Sequence, residues 1–232
     1  MKNHETSHNF VPHAHETHGH EDHSLKEELV THLPYAIFSV ALGLIVLTWL
    51  SFFSFSVTDA KEIKKSYKML FHSFHFLHIL FASTGTVLTF LRFSPNRTKA
   101  VIVGTVSPAI FCMLSDILLP YLGGVILGQN MHLCLCLIYE WYNVLPFLFV
   151  GVINGFLLAT HYNAFARVFS VGSHFAHILI SSLAALFYLV AYGFNNWYPQ
   201  MGIVFLVLIL AVVLPCTLSD VVVPMYFAKK RN

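Results

Sequence analysis

Six long apolar runs limit what this 232-residue chain can fold into. A helix needs about 20 apolar residues to cross a bilayer, and each run reaches that length. The predicted spans cover residues 33–56, 69–91, 100–122, 138–160, 171–193 and 202–226. Only 10% of the residues are charged, whereas soluble domains contain about a quarter. The chain is therefore predicted to be an all-α, multi-pass integral membrane protein with the lipid bilayer as its first partner.

The segments around these spans differ in character. Residues 1–31 are polar and rich in His, which predicts a disordered tail. Residues 123–137 are apolar but contain three Gly, so we interpret them as a connector that is re-entrant or interfacial. Residues 227–232 form a basic C-terminus. Nine Lys and Arg lie on the side of the two termini and four on the other side, which predicts that both termini are cytoplasmic.

The two halves of the chain, residues 32–122 and 138–226, resemble each other block by block. "LPYAIFSVALG" matches "LPFLFVGVING", "HFLHILFAS" matches "HFAHILISS", and "CMLSDILLP" matches "CTLSDVVVP". The blocks occur in the same order, at offsets of 112, 99 and 104 residues. Three helices per repeat is an odd number, so the halves are predicted to cross the membrane in opposite orientations. Such inverted repeats are found in many secondary transporters.

Each repeat carries two His, one Cys and one Asp at helical spacing. Residues three or four apart share a helix face, so His75 pairs with His78, and Cys112 with Asp116. Their counterparts in the second half are His174, His177, Cys216 and Asp220. Counting along the predicted spans places the first set in the outer third of the bilayer. The second set falls in the inner third, and two separate clusters are therefore predicted.

The donor atoms of each cluster indicate a transition-metal site. A carboxylate inside a membrane costs at least about 2.5 kcal/mol and marks a functional path. Imidazole, thiol and carboxylate together suit zinc and also accept nickel, cobalt, iron or copper. Magnesium and calcium prefer oxygen ligands only. A metal-free proton relay through His–Asp pairs, and structural roles such as hydrogen bonds between helices, are the alternatives.

Further groups are expected beside the predicted clusters. Glu140 and Asn143 begin the fourth span near the outer cluster, and Glu28 and His32 begin the first span near the inner one. His72 has no counterpart in the other half and is expected as an accessory ligand. The tail offers separate metal capture by flexible imidazoles, at His13, His15, His18, His20 and His23.

The four Cys lie in or beside apolar segments, which argues against an extracellular disulfide framework. Cys134 and Cys136 are too close in sequence for an ordinary bridge to each other.

These features favour a secondary transporter of a divalent transition-metal ion, with zinc as the favoured substrate and no enzymatic role. A haem or quinone redox subunit is one alternative, although His pairs at opposite depths argue against a shared haem. An intramembrane metalloenzyme is another, although no HExxH-like motif is present. No basic, aromatic-interleaved patch indicates nucleic acid as a partner, and a homo-oligomer is left open.

Overall fold

The computed structural model describes residues 25–54, 59–160, 166–194 and 196–228, without the side chains of residues 25–28, 137 and 166–173. Within these residues the chain is helical and contains no strand. Six stretches are long and apolar enough to cross a membrane, which confirms the predicted number of spans. The α-helices are α1 (Leu25–Ser54), α2 (Ala60–Phe93), α3 (Arg97–Met113), α4 (Leu119–Ile126), α5 (Cys136–Tyr139), α6 (Trp141–Thr160), α7 (Ala166–Tyr192), α8 (Met201–Thr217) and α9 (Val223–Ala228).

Helix α1 corrects the predicted end of the tail. It begins at Leu25, so residues 25–31 belong to a helix. The remainder of the predicted tail, residues 1–24, lies outside the described residues.

The third span is also longer than predicted, because it continues through α4 to Ile126. Gly123 does not break the helix: a Cβ there would lie 2.5 Å from Val207 Cγ1, so this glycine permits close packing. The helix ends at Ile126, and Gly128, two residues further on, has a φ of 77°, the left-handed conformation that favours glycine after a helix. The predicted connector is therefore reduced to a loop, residues 127–135, followed by the short helix α5.

The repeated Cys-to-Pro motif folds in the same way in both halves. Leu114–Leu118 forms a π-helical turn between α3 and α4, and Leu218–Val222 forms one between α8 and α9. In each, the backbone N–H that follows the turn donates five residues back instead of four. Pro120 and Pro224 come next, and a proline ring clashes with the carbonyl four residues earlier. The wider turn accommodates that ring and changes the direction of nearby side chains.

The first span of each half packs against the second span of the other half, because α1 contacts α7 and α6 contacts α2. A Cβ at Gly43 would lie 2.6 Å from Leu186 Cδ1, and one at Gly155 would lie 2.7 Å from Val87 Cβ. Gly43 aligns with Gly155 and Val87 aligns with Leu186, so the two halves make the same contact at matching positions. Small residues at these points allow the helices to approach closely.

Candidate metal centre

The repeated polar residues of the two halves meet in one cluster. His78 Nε2 lies 3.0 Å from His177 Nε2, so the predicted separation into an outer and an inner cluster is wrong. The physical reason is the length of the helices. Helix α2 begins at Ala60 rather than at residue 69, which places His78 close to its middle. His177 likewise lies well inside α7, and the two residues come to the same level.

Two cysteine sulfurs surround the same point. Cys216 Sγ lies 3.7 Å and Cys112 Sγ 3.8 Å from His78 Nε2. The donor atoms of His78, His177 and Cys216 lie within 4.8 Å of one another. These three side chains and that of Cys112 are buried. Zinc–nitrogen bonds of about 2.0–2.1 Å and zinc–sulfur bonds of about 2.3 Å give tetrahedral N–S edges of about 3.5 Å and N–N edges of about 3.3 Å. The spacings among His78, His177 and Cys216 are close to those of such a site, and Cys112 lies next to it on the His78 side.

Asp116 holds two of the imidazoles in place. Its Oδ2 accepts from Nδ1 of His75 at 2.9 Å and of His78 at 2.7 Å. Its Oδ1 accepts from the hydroxyls of Ser115 at 2.8 Å and Ser181 at 2.9 Å. The sequence predicts Asp116 as a ligand, but these four donors occupy its oxygens. Asp116 therefore orients His78 and favours the tautomer with a proton on Nδ1, so that Nε2 faces the cluster as a hydrogen-bond acceptor or metal ligand.

Asp220 lies beside an imidazole in the second half, as Asp116 does in the first half, but fewer hydrogen-bond donors surround it. His177 Nδ1 lies 3.2 Å from Asp220 Oδ2. The other oxygen, Oδ1, is buried and has no hydrogen-bond partner among the described residues. Each of the two rings therefore has a carboxylate beside its Nδ1 and turns its Nε2 toward the other ring, at a distance of 3.0 Å. At that distance one Nε2–H can donate a hydrogen bond to the other Nε2, or both nitrogens can bind a metal ion with their lone pairs.

His75 and His174, the other two repeated His, lie beside this cluster. His75 Nε2 is buried and has no hydrogen-bond partner within the described chain. The His174 ring packs edge-on against His32, with centroids 4.3 Å apart, and its centroid lies 6.4 Å from that of His177. His32, expected as an accessory group, therefore packs against His174 beside the centre.

His72, Glu140 and Asn143 belong to a separate group at the loop before α6. His72 Nε2 lies 3.3 Å from Glu140 Oε1, and Asn143 Nδ2 donates to Glu140 Oε2 at 3.4 Å. Cys134 and Cys136 complete this group, because their sulfurs and a His72 nitrogen lie within 4.8 Å of one another. Sequence reasoning missed both cysteines as site residues, although their Cys-x-Cys spacing was a usable signal.

The two loop thiols differ in acidity because they share one proton. A hydrogen bond from the Cys136 thiol, with a second from His72, lowers the pKa of Cys134. Donation to Cys134, followed by burial, raises the pKa of Cys136. A thiolate on Cys134 is thus stabilised beside an imidazole.

Two sets of predicted residues remain untested. The side chain of Glu28 and the tail His residues lie outside the described part of the chain.

The fold and the centre define an all-helical protein with six helices able to cross a membrane and a buried His/Cys group able to hold a metal ion. Comparisons with protein-family models, curated proteins and solved structures found no match.

Proposed function

We propose that the chain is a secondary transporter of a divalent transition-metal ion, with zinc as the favoured substrate. The observation that carries the proposal is the convergence of His78, His177 and Cys216, whose donor atoms lie within 4.8 Å of one another. A hydrogen bond between the two imidazoles needs no sulfur, but Cys216 Sγ and Cys112 Sγ both lie within 3.8 Å of His78 Nε2 and add soft donors. Two nitrogens and one sulfur, with a second sulfur nearby, favour zinc.

The inverted repeat is part of this proposal. It is supported by the exchanged packing of α1 and α6, and by π turns at aligned positions in both halves. A pseudo-two-fold axis would then pass between His78 and His177, and the substrate would bind at the interface of the halves. Rocking of one half against the other would expose that point alternately to each side. Both termini, including the His-rich tail, would lie on the cytoplasmic side.

Charge balance favours coupling to protons. A zinc ion that binds the Cys112 and Cys216 thiols displaces one proton from each, and two thiolates neutralise the ion. The loaded centre then carries no net charge beyond that of the empty one, which limits the cost of burying the ion. Released protons would leave toward the side from which the metal enters, so metal and protons would exchange.

The alternative functions fit the centre less well. The facing His residues remove the depth argument against a shared haem, but their Nε2 atoms lie only 3.0 Å apart and leave no room for a porphyrin between them. A catalytic zinc needs a coordination position that a substrate can reach, and the donor side chains of this centre are all buried. A buried donor set does favour a second candidate, a static metal centre that stabilises the bundle.

Zinc flux into proteoliposomes separates transport from static binding. The full chain should load zinc into vesicles that contain a zinc-sensitive dye, at a rate that saturates with zinc concentration. The double variant His78→Ala/His177→Ala should lose this flux. His132→Ala is the matched control, since His132 is an exposed loop residue. The zinc flux of this variant should equal that of the unaltered chain.

Two outcomes would contradict transport. Unaltered protein that binds zinc but moves none would identify a static centre. Equal flux in the double variant would show that the ions follow another path.

A further inference from the structure

A second set of metal-ligating side chains lies outside the buried centre, where the loop 127–135 meets α2. Cys134 Sγ and Cys136 Sγ lie 3.6 Å apart. The S–S edge of a tetrahedral zinc thiolate site is about 3.8 Å, whereas a disulfide needs about 2.05 Å. A His72 nitrogen lies within 4.8 Å of both sulfurs, and Glu140 Oε1 lies 3.3 Å from His72 Nε2. His72, Cys134 and Cys136 therefore offer a compact S₂N donor set, with a carboxylate beside its imidazole.

The loop is held in this position by the C-terminal end of α7. The Tyr188 hydroxyl donates to the His132 carbonyl at 2.9 Å, and His132 N–H donates to the Tyr192 carbonyl at 2.8 Å. Gly193, at a φ of 143°, contacts the Asn130 carbonyl, where a Cβ would clash. These contacts fix the loop two residues before Cys134, so the thiols face His72 in a defined way.

The exposure of this group differs from that of the buried centre. The side chains of His72 and Glu140 are 22% and 27% exposed, whereas His78 and Cys216 are 1% and 4% exposed. The outer side of the loop group is therefore partly open to solvent, while Cys136 lies buried at its inner side. Along α2, His72 lies about one turn from His75, so the loop group and the buried centre are neighbours.

We propose that His72, Cys134 and Cys136 form a second metal site beside Glu140, which binds a borderline or soft divalent cation such as zinc or cobalt. Two thiolates and one imidazole supply three ligands of a tetrahedral set for such ions, and the fourth position is left for water or for the Glu140 carboxylate. Oxygen-preferring cations are excluded by the sulfur donors. This site stands independently of the transport function, because it shares no ligand with the buried centre.

Cobalt is a suitable probe, because thiolate-bound cobalt absorbs by charge transfer and imidazole-bound cobalt in the tail does not. The sample is the full-length variant Cys112→Ser/Cys216→Ser, purified in detergent with a reductant. Since the chain has four Cys, Cys134 and Cys136 are then its only thiols. We expect thiolate–cobalt charge-transfer absorption, and its loss when Cys134→Ser/Cys136→Ser is added.

A further variant tests whether the site is more than a pair of thiols. His72→Gln in the same background should weaken cobalt binding roughly tenfold or more, since a ligand is removed. Unchanged affinity, or no charge-transfer absorption in folded Cys112→Ser/Cys216→Ser, would overturn the proposal. If Cys112→Ser/Cys216→Ser does not fold, Cys134→Ser/Cys136→Ser is made in the otherwise unaltered chain instead. Loss of part of the charge-transfer absorption would then support the second site, and no loss would overturn it. The reverse pattern, absorption only from Cys112 and Cys216, would support the buried centre and refute this one.

Discussion

A carboxylate buried among apolar helices is stable only when its oxygens are hydrogen-bonded or paired with charge, and Asp116 has four donors. Two of these donors are imidazoles, so the stability of the carboxylate and the orientation of His78 depend on each other. The sequence marks Asp116 as unusual because it lies in an apolar segment. It does not reveal that Ser181 of the other half takes up the oxygen on which a metal would otherwise bind.

The substitution Asp116→Asn tests this orienting role. The amide keeps the shape of the side chain but removes the negative charge that favours the Nδ1–H tautomer of His78. We expect zinc affinity to fall about 10- to 100-fold, as for other groups that orient a ligating imidazole. Competition with a chromogenic chelator measures this affinity.

Asp59→Asn is the matched control for that substitution. Asp59 caps the N-terminus of α2, where Asn serves equally well, so the affinity should not change. Asp116→Asn protein with the affinity of the control would show that Asp116 does not support the centre.

At the scale of the elements, each π turn contains the Asp of its half, Asp116 or Asp220, and so sets the direction of that side chain. Proline is the sequence feature that accounts for the turns, because a regular α-turn would press each ring against a carbonyl. Pro120 is therefore part of the centre's construction.

Pro120→Ala should weaken metal binding without unfolding the helix. Alanine restores the backbone N–H, so a regular α-turn can replace the π turn and rotate Asp116 away from His78. We expect a loss of zinc affinity, measured by chelator competition. Pro146→Ala, on an exposed position of α6, should bind zinc as the unaltered chain does. Equal zinc affinity in both variants would show that the π turn is not needed for metal binding.

Close packing of α6 on α2 depends on Gly151. A Cβ at this position would lie 2.6 Å from the Leu80 carbonyl oxygen, a backbone atom that cannot move away. Gly151→Ala should therefore lower the free energy of unfolding by about 1–3 kcal/mol. Gly202→Ala is the matched control, since nothing lies within 4 Å of its added Cβ. Unfolding in detergent measures both variants, and equal stability would refute the tight contact.

At the scale of the whole molecule, the number of spans follows from the sequence because apolar length alone sets it. The depth of the polar residues does not, because α2 begins at Ala60 and includes the polar run "KEIKKSYK". An apolar window misses that first part of the helix, and this is why the sequence predicts two separate clusters. The Cys-x-Cys spacing marks Cys134 and Cys136 as a pair, but their place beside His72 depends on contacts of the loop with α7, which no local pattern records.

The meeting of both halves at one centre is the central claim, and zinc-edge X-ray absorption tests it most directly. The sample is full-length Cys134→Ser/Cys136→Ser protein with one equivalent of zinc, so that loop thiols contribute no sulfur. We predict a first shell of about two nitrogens at about 2.0–2.1 Å and about two sulfurs at about 2.3 Å. Further addition of His78→Ala/His177→Ala should abolish that shell. A first shell of nitrogen and oxygen alone would contradict the claim, because the zinc would then be bound away from Cys112 and Cys216.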